Sequence, residues 1–155
     1  MINKELIYRK LVKLTEYLDE LRPLTEYSFE QYQSNSLVKR TTERLVMLTV
    51  EVASDINAHL IAKITKKPSS SYFDSFIQLG ELKIISVEFA REIAQSAGLR
   101  NRLIHEYEEI DDSVVYNSIS VALISFQKYI HAIQDFINTL DKKSNHANPN
   151  TLPLL

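Results

Sequence analysis

Only two glycines, Gly80 and Gly98, and four prolines punctuate the 155 residues of this chain. Sheet proteins need turn residues every few positions, so a chain this poor in them is built from long helices. The same scarcity excludes the glycine-rich loops that cradle phosphates, both the P-loop and the G-x-G-x-x-G fingerprint.

Apolar spacing agrees with that reading. Leu6, Ile7, Leu11, Leu14, Tyr17, Leu18 and Leu21 step by threes and fours, with Asn3 as N-cap and Pro23 as terminator. A second segment opens at Ser28, where Gln31 three residues on gives the capping-box spacing. Its stripe runs through Phe29, Tyr32, Leu37, Val38, Leu45, Leu48, Val52, Ile56, Leu60 and Ile64 to Lys66-Lys67-Pro68, weakest at Ser34-Asn35-Ser36. That length is unusual for one globular helix and invites a kink or break there. Ser69-Ser70-Ser71 caps a short helix from Tyr72 to Leu79 that Gly80 ends, and Ser86 caps the next. Gly98 either interrupts that fourth helix or admits close packing. Asp111-Asp112 opens the last helix, whose stripe Val115, Ile119, Ala122, Phe126, Ile130, Ile133, Ile137 and Leu140 carries it to about Lys142. The expectation is an all-α antiparallel bundle of four long helices plus a short one, one domain over residues 1–143, with a flexible tail over 144–155.

Composition bounds the function. A net charge of −2 and a pI near 6.1 exclude a strongly basic nucleic-acid coat, so any such contact is a local patch. Without cysteine there is no disulfide, thiolate zinc site, iron–sulfur cluster or thiol nucleophile. No uninterrupted apolar run reaches the roughly 18 residues of a membrane span, and MINKELIYRK has no signal-peptide core, so a cytoplasmic protein that meets no membrane is expected.

One stretch does not read as ordinary helix surface. Leu99-Arg100-Asn101-Arg102-Leu103-Ile104-His105-Glu106-Tyr107 packs together the groups that handle a phosphodiester. Arginine binds phosphate through paired hydrogen bonds, histidine moves a proton near neutral pH, and tyrosine orients, stacks or is modified. On a straight helix Asn101 and His105 share a face, but Arg100 and His105 stand about 140° apart. The motif therefore converges only if the helix is irregular or a second subunit completes the site.

The string R-N-R-L-I-H-E-Y resembles the R-x-x-x-x-H-x-Y motif of the HEPN superfamily, and more narrowly the HepT-like toxins of HEPN/MNT toxin–antitoxin pairs. Glu43-Arg44, Glu51 and Asp55-Ile56-Asn57-Ala58-His59 resemble that family's second helix, and Ser71-Tyr72-Phe73 with Gly98-Leu99-Arg100-Asn101 its run into the motif. The resemblance implies a metal-independent endoribonuclease toxin, type VII-like, acting as a homodimer without cofactor on mRNA or tRNA. Arg100 would bind the scissile phosphate, His105 would be general base or acid, and Asn101 would hold either in place. Arg102, Glu51 and Asp55 would support the cleft. A minimal nucleotidyltransferase antitoxin would place AMP on Tyr107.

Plainer readings stand beside these. Arg102 with Glu106 is also an exposed i,i+4 ion pair, and Glu51–Asp55–His59 is a solvated polar stripe before it is a metal site. Lys63, Lys66 and Lys67 suit a helix C-terminus and also an RNA path with Lys39, Arg40 and Arg44. The rival functions are a non-catalytic HEPN module that binds a nucleotidyltransferase or nucleotide, a histidine phosphotransfer bundle, and a carboxylate metal bundle that lacks its E-x-x-H ligands.

Overall fold

The computed structural model describes residues 1–147, with side chains through residue 143. Six α-helices and two 3₁₀ turns build it, and no β-strand occurs among the described residues. Helix α1 (Lys4–Leu21) starts where Asn3 accepts the Leu6 N–H, and Pro23 then opens a 3₁₀ turn, Arg22–Glu26. The expected long second segment divides into α2 (Phe29–Ser34) and α3 (Ser36–Thr65). Ser28 and Gln31 form the complete capping box of α2. Asn35 leaves the helical region at φ −115°, and its side chain accepts the Val38 N–H, so one residue ends α2 and caps α3.

Helix α3 is the hub and packs against α1, α2, α4, α5 and α6. An 18-residue window of it is apolar enough to cross a membrane, yet 61% of that window is buried inside the bundle, as a core helix requires. Two positions of its expected stripe fail. Leu37 and Ile64 lie exposed near the two ends of α3, Leu37 beside a buried Val38. Its C-cap is Lys66 in the left-handed region at φ 64°.

Gly80 corrects the expectation for the short helix. Helix α4 (Tyr72–Glu81) continues through it, and the turn falls at Lys83, φ 62°. Gly80 is a contact glycine: a Cβ there would sit 2.8 Å from the Ala90 Cβ on α5 (Val87–His105). Gly98 neither interrupts α5 nor packs closely, since a Cβ on it would meet nothing within 4 Å. After a 3₁₀ turn at Tyr107–Glu109, α6 (Asp112–Ala147) runs past the expected end near Lys142, and residues 148–155 of the expected tail lie outside the described residues.

Buried polar groups tie the hub to its neighbours. The Tyr129 hydroxyl of α6 donates to Asn57 Oδ1 on α3 at 2.6 Å, with the Ala53 carbonyl 3.0 Å away. Asn57 Nδ2 donates to Ser75 Oγ on α4 at 3.1 Å. At the start of α1 the Asn3 backbone N–H donates to His59 Nε2 at 2.9 Å.

Two stability predictions follow from these contacts. Gly80→Ala gains about 1 kcal/mol of helix propensity and loses about 1–3 kcal/mol to overpacking against Ala90, so its melting temperature in thermal denaturation falls. A rise would show that α4 and α5 can separate freely. Burial, then Lys63 and the N-terminal amine, lower the His59 pKa, which favours the neutral ring that accepts the Asn3 N–H. Its contribution is full above the unfolded value of about 6.5 and is lost as pH falls through the folded one. Chemical denaturation from about pH 7 down to 5 should therefore cost the wild type more stability than His59→Gln, which cannot titrate.

Candidate functional site

Arg100 leaves α5 toward α3 and α4. Its Nη2 donates to Glu51 Oε1 at 3.1 Å, its Nη1 to Asn101 Oδ1 at 3.3 Å, and its guanidinium lies 4.5 Å from the Tyr72 ring centroid. Side-chain exposure is 19%, which makes this a held rather than a waving arginine. Its Nε is buried without a hydrogen-bond partner, a donor in surplus of what the protein supplies. Asn101 is spent on Arg100 here, not on His105.

His105 is the last residue of α5 and is exposed. The helix is regular up to that point, so the helical rotation of about 140° from Arg100 stands. His105 shares its side of α5 with Arg102 and Gly98, which are one and two turns away. Glu106 then breaks the helix at φ −129°, ψ 34°.

That break redirects Tyr107 to the start of α3. The Tyr107 hydroxyl donates to Glu43 Oε1 at 3.3 Å, Arg40 lies 5.2 Å from the ring centroid, and Arg40 Nη1 donates to the same Glu43 oxygen at 2.9 Å. Glu43 is buried, and desolvation pushes its carboxyl above the ordinary value against the pull of Arg40 and Lys39. Lys39 bridges to Asp112 at 3.0 Å beside a cavity of about 210 Å³ bounded by Arg40, Glu43 and Tyr107. Glu43 and Glu51 are eight residues apart on α3, about 12 Å of helix rise. Arg100 and Tyr107 are thus anchored at separate points of one helix, and within one chain Arg100, His105 and Tyr107 do not meet.

The remaining expected site residues disperse. Asp55 is not brought to Arg100: it pairs with Lys10 of α1 at 3.1 Å. Arg102 forms the exposed pair with Glu106 at 3.8 Å and faces a groove instead of Arg100. With Glu51 on Arg100, Asp55 on Lys10 and His59 on Asn3, the polar stripe is split among three neighbours. No three His, Asp or Glu side chains are grouped to hold a metal among the described residues. Tyr72 and Glu43 carried no assigned role from sequence, and Arg40 only a place on a possible RNA path. The signal for Glu43 was its place with Arg44 in the resemblance to the family's second helix, which gave it no chemical task.

The groove lies between α3, α5 and α6. It has a volume of about 510 Å³ and is lined by Val46, Val50, Gly98, Leu99, Val121 and Phe126 among others. Val121 and Ile124 of α6 stand 57% and 66% exposed, an apolar ridge without cover among the described residues.

Comparison with known proteins closes the question of kinship. The profile of the HepT-like family, described as ribonuclease HepT-like, matches residues 14–133. The chain is 37% identical over 144 residues to the tRNA nuclease HepT of Aphanizomenon flos-aquae, covering 93% of this chain and 98% of that protein. Its fold superposes with a TM-score of 0.76 on the tri-AMPylated Shewanella oneidensis HEPN toxin solved in complex with its MNT antitoxin, at 19% identity over 84% of this chain and 97% of that one. The cytosolic protein YutE of Bacillus subtilis, of unknown function, gives the same TM-score of 0.76 at 17% identity, covering 89% and 92%. The motif, the all-α bundle and these likenesses agree, and this chain belongs to the HepT-like ribonuclease family.

Proposed function

We propose that this chain is the RNA-cleaving toxin of a type VII-like pair, active as a homodimer in the cytoplasm, with tRNA as its substrate. The observation that carries this reading is the clamped Arg100, with one donor left over, preceding an exposed His105 in a chain so similar along its length to a tRNA nuclease. His105 takes the proton of a ribose 2′-hydroxyl, whose oxygen attacks the adjacent phosphorus. The bond to the 5′-oxygen of the next nucleotide breaks, that oxygen is protonated, and a 2′,3′-cyclic phosphate remains. Arg100 stabilises the charge that builds on the phosphoryl oxygens, and Glu51 and Tyr72 keep it in place for that task. Proton transfer and charge are both supplied by side chains, so the reaction is metal-independent, and DNA, without the 2′-hydroxyl, is not cut.

Geometry supports a second copy. His105 points to the groove side of α5 and Arg100 to the other, so one phosphate reaches both only when a partner chain contributes. The groove and the ridge of Val121 and Ile124 offer the apolar surface for it. Inhibition follows from charge: AMP on Tyr107, placed there by an MNT-type nucleotidyltransferase, brings a phosphate and a base to the cleft where RNA must bind.

Incubation of the purified chain with tRNA in EDTA tests the chemistry. Wild type should cleave, and Arg100→Ala and His105→Ala should each lose about 10²–10⁴-fold with unchanged circular dichroism. Full activity in either variant overturns the assignment. Absence of cleavage by unmodified wild type favours the non-catalytic binding module. For the assembly, Val121→Glu with Ile124→Glu should shift light-scattering mass from dimer to monomer and abolish cleavage. A dimeric double variant would move the interface elsewhere.

A further inference from the structure

We propose that Glu43 is a catalytic residue in the modification of Tyr107, receiving the phenol proton as the Tyr107 oxygen attacks the α-phosphate of a nucleoside triphosphate. The proposal rests on the reading that Tyr107 is the modified residue and adds the group that makes its oxygen a nucleophile.

Three observations carry it. Among the described hydrogen bonds, Tyr107 is the tyrosine whose hydroxyl donates to a carboxylate; those of Tyr116 and Tyr129 go to carbonyl oxygens. The acceptor, Glu43, is only 6% exposed, whereas Tyr107 is 43% exposed. The phenol therefore faces solvent, where a nucleotide can approach, while its base sits behind it, shielded from water. Arg40 completes the arrangement, resting over the ring and bonded to the same carboxylate oxygen at 2.9 Å. It opposes the desolvation that raises the Glu43 pKa, which favours the carboxylate, and it lies beside the oxygen on which the incoming phosphate arrives.

The step balances. The Tyr107 Oη–phosphorus bond forms, the bond from the α-phosphorus to the bridging oxygen breaks, pyrophosphate leaves, and the phenol proton passes to Glu43 and then to water. The co-reactant is the nucleoside triphosphate with its transferase. A phenol is a poor nucleophile at neutral pH, with a pKa near 10, so a positioned base is worth about 10²–10⁴-fold. Desolvation makes the Glu43 carboxylate more basic than an exposed one. The groups that face it are Arg40 and Lys39 on its own helix, Tyr32 on α2, Tyr107 after α5 and Asp112 on α6. Tyr32, whose phenol burial pushes far up, stays neutral throughout the useful pH range.

The experiment is single-turnover transfer from [α-³²P]ATP and Mg²⁺ by the cognate MNT-type nucleotidyltransferase onto the full chain, with the label mapped by mass spectrometry. Wild type, Tyr107→Phe, Glu43→Gln and Glu43→Asp are compared from about pH 5 to 9, each after its melting temperature confirms folding. Wild type should be labelled on Tyr107 and Tyr107→Phe should not. Glu43→Gln should be at least about 100-fold slower, with Glu43→Asp recovering part of the rate. The ratio of wild-type to Glu43→Gln rates cancels the pH dependence of the transferase. It should climb with pH through the Glu43 ionisation and then level. Labelling of Glu43→Gln at the wild-type rate overturns the proposal alone, and so does a slowing that is the same at every pH, the mark of a structural role. If wild type takes no label, or Tyr107→Phe is labelled like wild type, the underlying reading fails and the proposal with it.

Discussion

A charged or amide side chain inside a bundle is costly without a partner there, and α3 carries several polar groups along its length. Glu43 meets Arg40 and Tyr107, Glu51 meets Arg100, and Asn57 meets Tyr129 and Ser75. Asp55 and His59 on its α1 side hold Lys10 and the Asn3 backbone. Each acceptor therefore selects a different neighbour, and the neighbours are fixed in direction as well as in distance. At the buried members, Glu43 and Asn57, removing a partner would leave a charge or amide unpaired, a cost of about 1–3 kcal/mol and more for ions. Specificity in this bundle comes from that demand as much as from its apolar stripe.

Positioning of Arg100 depends on the same economy at both ends of α4. Gly80 lets α4 approach α5 at Ala90, and the antiparallel pair then runs on to bring the Tyr72 ring beneath the guanidinium. A glycine far from the motif thus sets where its arginine rests. The helix break at Glu106 performs the complementary task, turning Tyr107 away from the axis that holds His105.

Helix limits were legible because capping is local chemistry. Asn3, Ser28, Ser71 and Ser86 each accept the N–H that their position in the sequence promised. Gly80 was misread because a glycine that ends a helix and one that admits a neighbour look alike until the neighbour is known. Leu37 faces solvent while its neighbour Val38 is buried, and Ile64 lies exposed near the end of α3, so the stripe as spaced in sequence is wider than the face the fold covers. In the site, the motif was visible, but the parting of Glu51 from Asp55 was not. They share a helix face by spacing, and only the placement of α1 and α5 on either side of α3 sends them to different partners. Glu43 and Tyr72 escaped a role for the same reason, since their partners are 64 and 28 positions away.

Gly98 has a consequence for dosage. A glycine inside a helix costs about 1 kcal/mol relative to alanine, and nothing among the described residues repays it, because the space above it is groove. If repayment comes from a second copy, a lone chain is both less stable and catalytically unfinished. Below the dissociation constant the population of pairs grows as the square of the chain concentration. A few molecules escaping control would then be nearly harmless, while a modest further rise would release cleavage steeply, so that the threshold of toxicity is set by association and not only by the antitoxin.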